Sequence, residues 1–102
     1  RSRRIEASRE DEGDAVTLHF DEPHAVGAIV LEEDIAQGQR IDEAVVTARV
    51  DGDNEQEIAR VHCVGYRRIV TLEKPVTATQ VRVTVTKSRQ GFYLAEAYAV
   101  RA

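Results

Sequence analysis

Apolar and polar residues alternate along most of this chain with a period of two. In "DAVTLHFD" (14–21) Val16, Leu18 and Phe20 fall on one side, and Thr17 and His19 on the other. In "TQVRVTVTK" (79–87) Val81, Val83 and Val85 oppose Arg82, Thr84 and Thr86. Successive side chains of a strand face opposite ways, so both stretches predict strands with one buried face. "AVGAIVLEE" (25–33), "EAVVTARVD" (43–51), "EQEIARVHC" (55–63) and "RRIVTLE" (67–73) are rich in β-branched residues and predict four more. "GFYLAEAYAVRA" (91–102) predicts a seventh, although its alanines also suit a helix and leave its inward face open.

Turn residues separate these runs. Asp51-Gly52-Asp53-Asn54 predicts a hairpin, because Gly and Asn tolerate positive φ. Pro23 and Pro75 are expected to end strands, since proline cannot donate to a ladder. "REDEGD" (9–14) reads as a solvated charged loop. Short strands at roughly ten-residue intervals without an amphipathic helix predict an all-β fold, an antiparallel β-sandwich. A chain of 102 residues holds one such domain, residues 1–102. It has no Met, not even at position 1, so the expectation is a domain excised from a longer polypeptide.

Composition changes this picture little: 42% apolar and 31% charged residues are ordinary for a soluble globular protein. A net charge of −4 repels phosphate, so no nucleic-acid partner is expected. No apolar stretch approaches the ~20 residues of a membrane-spanning helix, and no membrane partner is expected. With Cys63 as the single cysteine no intrachain disulfide forms, and Cys63 itself is expected to be a small core residue. The compartment stays open.

No catalytic constellation stands out. Glu32, Glu33 and Asp34 are adjacent acids, but neighbours on an extended chain face opposite ways and cannot converge on one bond as a catalytic pair. His19, His24 and His62 lack the close spacing of a zinc site and read as surface or half-buried side chains.

Four motifs in order carry a resemblance over about His24 to Val100: "LEEDIAQGQRI", "VGYRRIV", "VTATQVRVTVTKS" and the final "AEAYAV". Together they resemble the C-terminal β-sandwich of α-L-fucosidases, glycoside hydrolases of family 29 that remove fucose from glycans. More distantly they are similar to discoidin, or coagulation factor type C, domains. The resemblance implies a jelly-roll, galactose-binding-domain-like sandwich with no catalytic residue of its own and no cofactor. It also implies the catalytic domain of a parent chain as partner, with glycan contact optional.

Placement in the first motif leads us to expect Glu33 to pair with Arg40 and fix the crossing between sheets. In calcium-binding relatives a glutamate of the last strand holds the ion, and the matching position is Glu96. The chain has no tryptophan and lacks the N-terminal Asp-Gly segment of complete discoidin-type domains, so no metal is expected.

Glycan modules stack aromatics on sugar rings and engage hydroxyls with arginines and amides. The candidates are Tyr66, Arg67 and Arg68 in one cluster and Lys87, Arg89, Phe92 and Tyr93 in another. The competing reading makes Tyr66 a corner hydrogen bonder, Phe92 a core plug and the arginines partners for the acid excess. Three functions therefore remain open: an accessory domain bracing a fucosidase barrel, an independent module for fucose- or galactose-bearing glycans, and a protein-interaction or adhesion sandwich.

Overall fold

The computed structural model describes residues 3–33, 41–51, 54–88 and 94–102. These contain six strands: β1 (Ser8–Glu12), β2 (Ala15–Glu33), β3 (Ile41–Asp51), β4 (Asn54–His62), β5 (Arg68–Ser88) and β6 (Leu94–Arg101). Every pairing is antiparallel.

Two layers arise because β2 and β5 are long enough to serve both. Ala15–His19 pairs with Gln80–Thr84 inside a five-stranded layer of order β1-β2-β5-β3-β4. Farther along, Val26–Leu31 lies between β5 on one side and β6 on the other, forming a three-stranded layer. The expected sandwich is present, with two of its predicted strand pairs fused. Segments 14–21 and 25–33 are halves of β2, and 67–73 and 79–87 are halves of β5.

The prolines explain the fusion and correct the expectation that they end strands. The β2–β5 register shifts between His19 and His24 and again between Val26 and Ala28, and Pro23 and Pro75 fall in the unpaired gaps. Each lies where no donor is needed, so the chain stays extended and turns from one layer into the other.

The two layers close on one core. Val16, Leu18, Val26, Ile29 and Leu31 of β2 meet Val46 of β3, Val61 of β4 and Val81 and Val83 of β5. Burying such a side chain fully is worth about 2 kcal/mol, and no disulfide supplements it. In β6, Leu94, Ala97 and Ala99 point inward, which settles the face that its sequence left open. Ile5 joins the core while the backbone of residues 3–5 runs along β6, through Ile5 N–H to the Ala99 carbonyl and Arg101 N–H to the Arg3 carbonyl.

The charged run 9–14 is not a loop. Its first residues belong to β1, which pairs with β2 from Ser8↔His19 to Glu12↔Ala15. Gly13, at φ 58°, opens the two-residue turn between them, the position where a hairpin turn of this length calls for glycine. Arg9 of β1 then reaches the other layer: its guanidinium donates to the Leu94 carbonyl at 2.6 Å and pairs with Asp11 at 2.7 Å.

Candidate functional site

One end of the sandwich gathers three chain segments around a buried carboxylate. Glu33, the last residue of β2, is only 3% exposed. Its Oε1 accepts from the Ile41 N–H at 3.1 Å and its Oε2 from the Gly65 N–H at 2.8 Å. The Glu33 N–H returns a bond to the Gly65 carbonyl at 3.2 Å. A buried carboxylate needs such donors, and here they come from the first residue of β3 and from the β4–β5 connection.

That connection is shaped for the contact. Cys63 (φ 58°) and Gly65 (φ 66°) take left-handed backbone, and the Cys63 and Val64 N–H groups bond the Asp42 and Ile41 carbonyls. Cys63 is consequently exposed rather than a core residue, because the turn breaks the strand alternation that would have buried it.

This end brings part of the predicted glycan set together. Tyr66, Arg67 and Arg68 follow Gly65 directly, and Lys87 lies opposite Glu43, next to the Ile41↔Ser88 pair at the start of β3. Tyr66 is 66% exposed. Arg89, Phe92 and Tyr93 lie outside the described residues, as does Arg40 of the expected Glu33 pair. Glu32 and Glu33 do face opposite ways: Glu33 turns into the corner, whereas Glu32 meets Arg67 at 3.7 Å on the outer surface.

From Arg67 a polar seam runs over the outer face of the three-stranded layer. Arg67 donates to the Tyr98 hydroxyl at 3.3 Å, and Arg4 lies over the Tyr98 ring, 4.4 Å from its centroid. Glu96 is exposed and pairs with Arg4 at 3.4 Å. Among the described residues no three His, Cys, Asp or Glu side chains gather as a metal site. A pocket of about 80 Å³ lies between Arg4, Arg9, Leu18, Glu96 and Tyr98, far smaller than the several hundred Å³ of a typical ligand cavity. The sequence reading missed Arg4, Glu32 and Tyr98; the signal was the alternation of Glu96, Tyr98 and Val100 against inward alanines.

A second missed cluster sits on the five-stranded layer. The Glu43 carboxylate accepts from Thr86 at 2.6 Å and lies 3.1 Å from His62 Nε2 and 3.4 Å from an Arg60 nitrogen. The Thr86 hydroxyl holds the Glu43 carboxyl below its ordinary value; burial opposes this, and Lys87, Arg60 and His62 add to it. A folded value below the unfolded one, near 4.5, stabilises the protein above that pH and stops doing so as pH falls through the folded value. Thr86→Val is therefore expected to move the Glu43 titration midpoint upward in an NMR titration. An unmoved midpoint would remove Thr86 as the cause. His19 pairs with Glu10 at 3.0 Å, and His24 packs edge-on against Phe20 at 5.9 Å.

No family model matches the chain, and no curated protein matches it by sequence. Solved structures do. A protein of Bacteroides thetaiotaomicron VPI-5482 assigned as an α-L-fucosidase aligns with 98% of the chain at 27% identity and a TM-score of 0.85. SpGH29 aligns with 94% at 31% identity and a TM-score of 0.80. The structural neighbours of this chain include family 29 α-L-fucosidases. The chain spans 23% and 21% of those two proteins, so the match is to a small domain of them. The family 32 carbohydrate-binding module of Streptococcus pneumoniae EndoD shares the fold, with 86% of this chain and 69% of that one aligned at 18% identity and a TM-score of 0.71. At that identity the last match is one of fold alone.

Proposed function

We propose that this chain is the non-catalytic accessory sandwich of an α-L-fucosidase, bracing the catalytic domain of its parent. The observation that carries the reading is the alignment of nearly the whole chain with under a quarter of a fucosidase. Side-chain chemistry is consistent with it. The best-organised carboxylate, Glu33, is committed to two backbone N–H groups, and Glu43 to Thr86, His62 and Arg60. Neither is poised beside a partner acid at an open cleft, as hydrolysis of a glycosidic bond requires.

The test is to express the parent chain whole and without these residues, and to follow hydrolysis of a chromogenic α-L-fucoside during incubation at rising temperature. Both forms are expected to cleave the substrate when cold, with the shortened form losing activity several-fold faster on heating. A parent that does not cleave fucosides, or a shortened form equally durable, would overturn the reading.

Glycan binding is the second reading, favoured by the exposed Tyr66 beside Arg67 and Arg68 at a strand end, where sandwich loops carry function. It predicts saturable chemical-shift changes at those residues on titration with fucose, galactose or lactose. Changes spread evenly over the surface would reject it.

A further inference from the structure

The outer faces of the two layers differ in kind. On the five-stranded layer the outward positions include Thr17, Gln80, Arg82 and Glu55, which bond one another: Arg82 donates to Thr17 and Glu55 at 3.2 Å each, and Gln80 donates to Glu55 at 3.5 Å. On the three-stranded layer Val30 sits opposite Tyr98 on one side and Ile69 on the other, with Ala28 opposite Val100 in the next row. Val30 is 3% exposed yet stands apart from the central core cluster, so it is buried on the outside of its sheet. Ile69 is 56% exposed, and with Tyr66 it makes up the exposed large apolar side chains among the described residues.

Two arginines brace the Tyr98 side of this patch. Arg4 covers the Tyr98 ring and Arg67 bonds its hydroxyl, while Glu96 and Glu32 balance their charges. The face thus joins an apolar row, Val30 and Ile69, to a charge-compensated seam through Tyr98 whose side chains already hold one another. Interface centres are depleted in unbalanced charge and enriched in aromatics and arginine, and ordered anchors lose less entropy on docking.

We infer that this outer face of the three-stranded layer, centred on Tyr98, Val30 and Ile69 and continuing to Tyr66, is the surface that docks on the catalytic domain of the parent chain. The inference rests on the accessory-domain reading above. Size argues for a partner on the same chain. Eight residues of β2 by three strands give roughly 26 Å by 14 Å, on the order of 400 Å². That is below the ~800 Å² per partner of a stable complex between separate molecules and, counted over both sides as roughly 800 Å², within the roughly 600–1,500 Å² of contacts between domains of one chain. A tether raises the effective concentration enough for such an area to suffice. The compensated rim offers no net charge to an anionic partner.

Hydroxyl-radical footprinting of the full parent chain tests this. Tyr66, Ile69 and Tyr98 are expected to oxidise several-fold more slowly than their exposure in this domain implies, while His19 and His62 on the five-stranded layer react at the uncovered rate. Ile69→Glu, at a position already half exposed and so harmless to the domain itself, is expected to restore fast labelling of Tyr66 and Tyr98. Slow histidines with fast Tyr66 and Ile69 would overturn the inference but leave the accessory reading standing, with the other face as its interface. Uncovered rates on both faces would defeat both. Protection that fades on dilution would assign the face to a second copy and overturn the inference.

Discussion

Replacing Glu33 with alanine is expected to lower the melting temperature by on the order of 10–15 °C. The side chain carries no catalytic or ligand duty in this account; it satisfies the N–H groups of Ile41 and Gly65 from a position sealed off from water. Removing it leaves both donors without that acceptor, at about 1 kcal/mol each because water can enter the vacated space, and a domain of this size loses about 4–8 °C per kcal/mol. Glu33→Gln tests the mechanism rather than the volume. An amide keeps one acceptor but turns an NH₂ toward the second donor, so it too is expected to lose stability, by about half as much. The measurement is thermal unfolding by circular dichroism with amide exchange at Ile41 and Gly65. A Glu33→Ala protein melting within a degree or two of the parent would show that the corner is held by something else.

Gly27→Val is expected to be nearly as damaging, for a steric reason. A Cβ at position 27 would lie 2.8 Å from the Cα of Ala102 and 3.3 Å from its nitrogen, backbone atoms that cannot rotate aside. Ala102 is itself bonded through its N–H to the Ala25 carbonyl at 3.0 Å, so relief requires the end of β6 to leave the sheet. Overpacking of this kind costs about 1–3 kcal/mol, and more when pairing is lost with it. The expected result is a reduced denaturation midpoint together with lost exchange protection at Arg101 and Ala102. Gly27→Ala should give the same pattern in weaker form. Unchanged protection would show that the close approach is absent in solution.

How much of this was legible in the residues depends on whether a strand has two different faces. β5 announced itself through Val81, Val83 and Val85 because one face meets the core and the other meets polar neighbours. β1 did not, since all five of its residues are exposed and no face is selected for apolarity. Its one readable mark was the Gly13-Asp14 pair, a two-residue hairpin signal hidden in a charge run. Pro23 and Pro75 were readable as breaks in pairing but not as bends, because the missing donor is local and the continued extension is imposed by the opposite layer. Of the candidate site, Tyr66 to Arg68 could be named from the residues as a cluster after Gly65, and the exposure of Tyr66 agrees with that placement. The backbone half of Glu33's role could not be named, because its described donors are N–H groups of residues 8 and 32 positions away, which carry no letter of their own, while Arg40, the charged partner expected, lies outside the described residues. Cys63 was misplaced for a related reason, since its left-handed backbone answers to bonds with Asp42 and Ile41 across the sheet.

The sharing of β2 and β5 between both layers also decides how the chain must assemble. Among the described residues the β1–β2 and β3–β4 hairpins are the local pairings; Ala15 must find Thr84, and Leu31 must find Arg68, before either layer exists. Closing such wide loops makes for slow folding. It also makes the two layers a single cooperative unit, in which a fault in one is felt at once in the other.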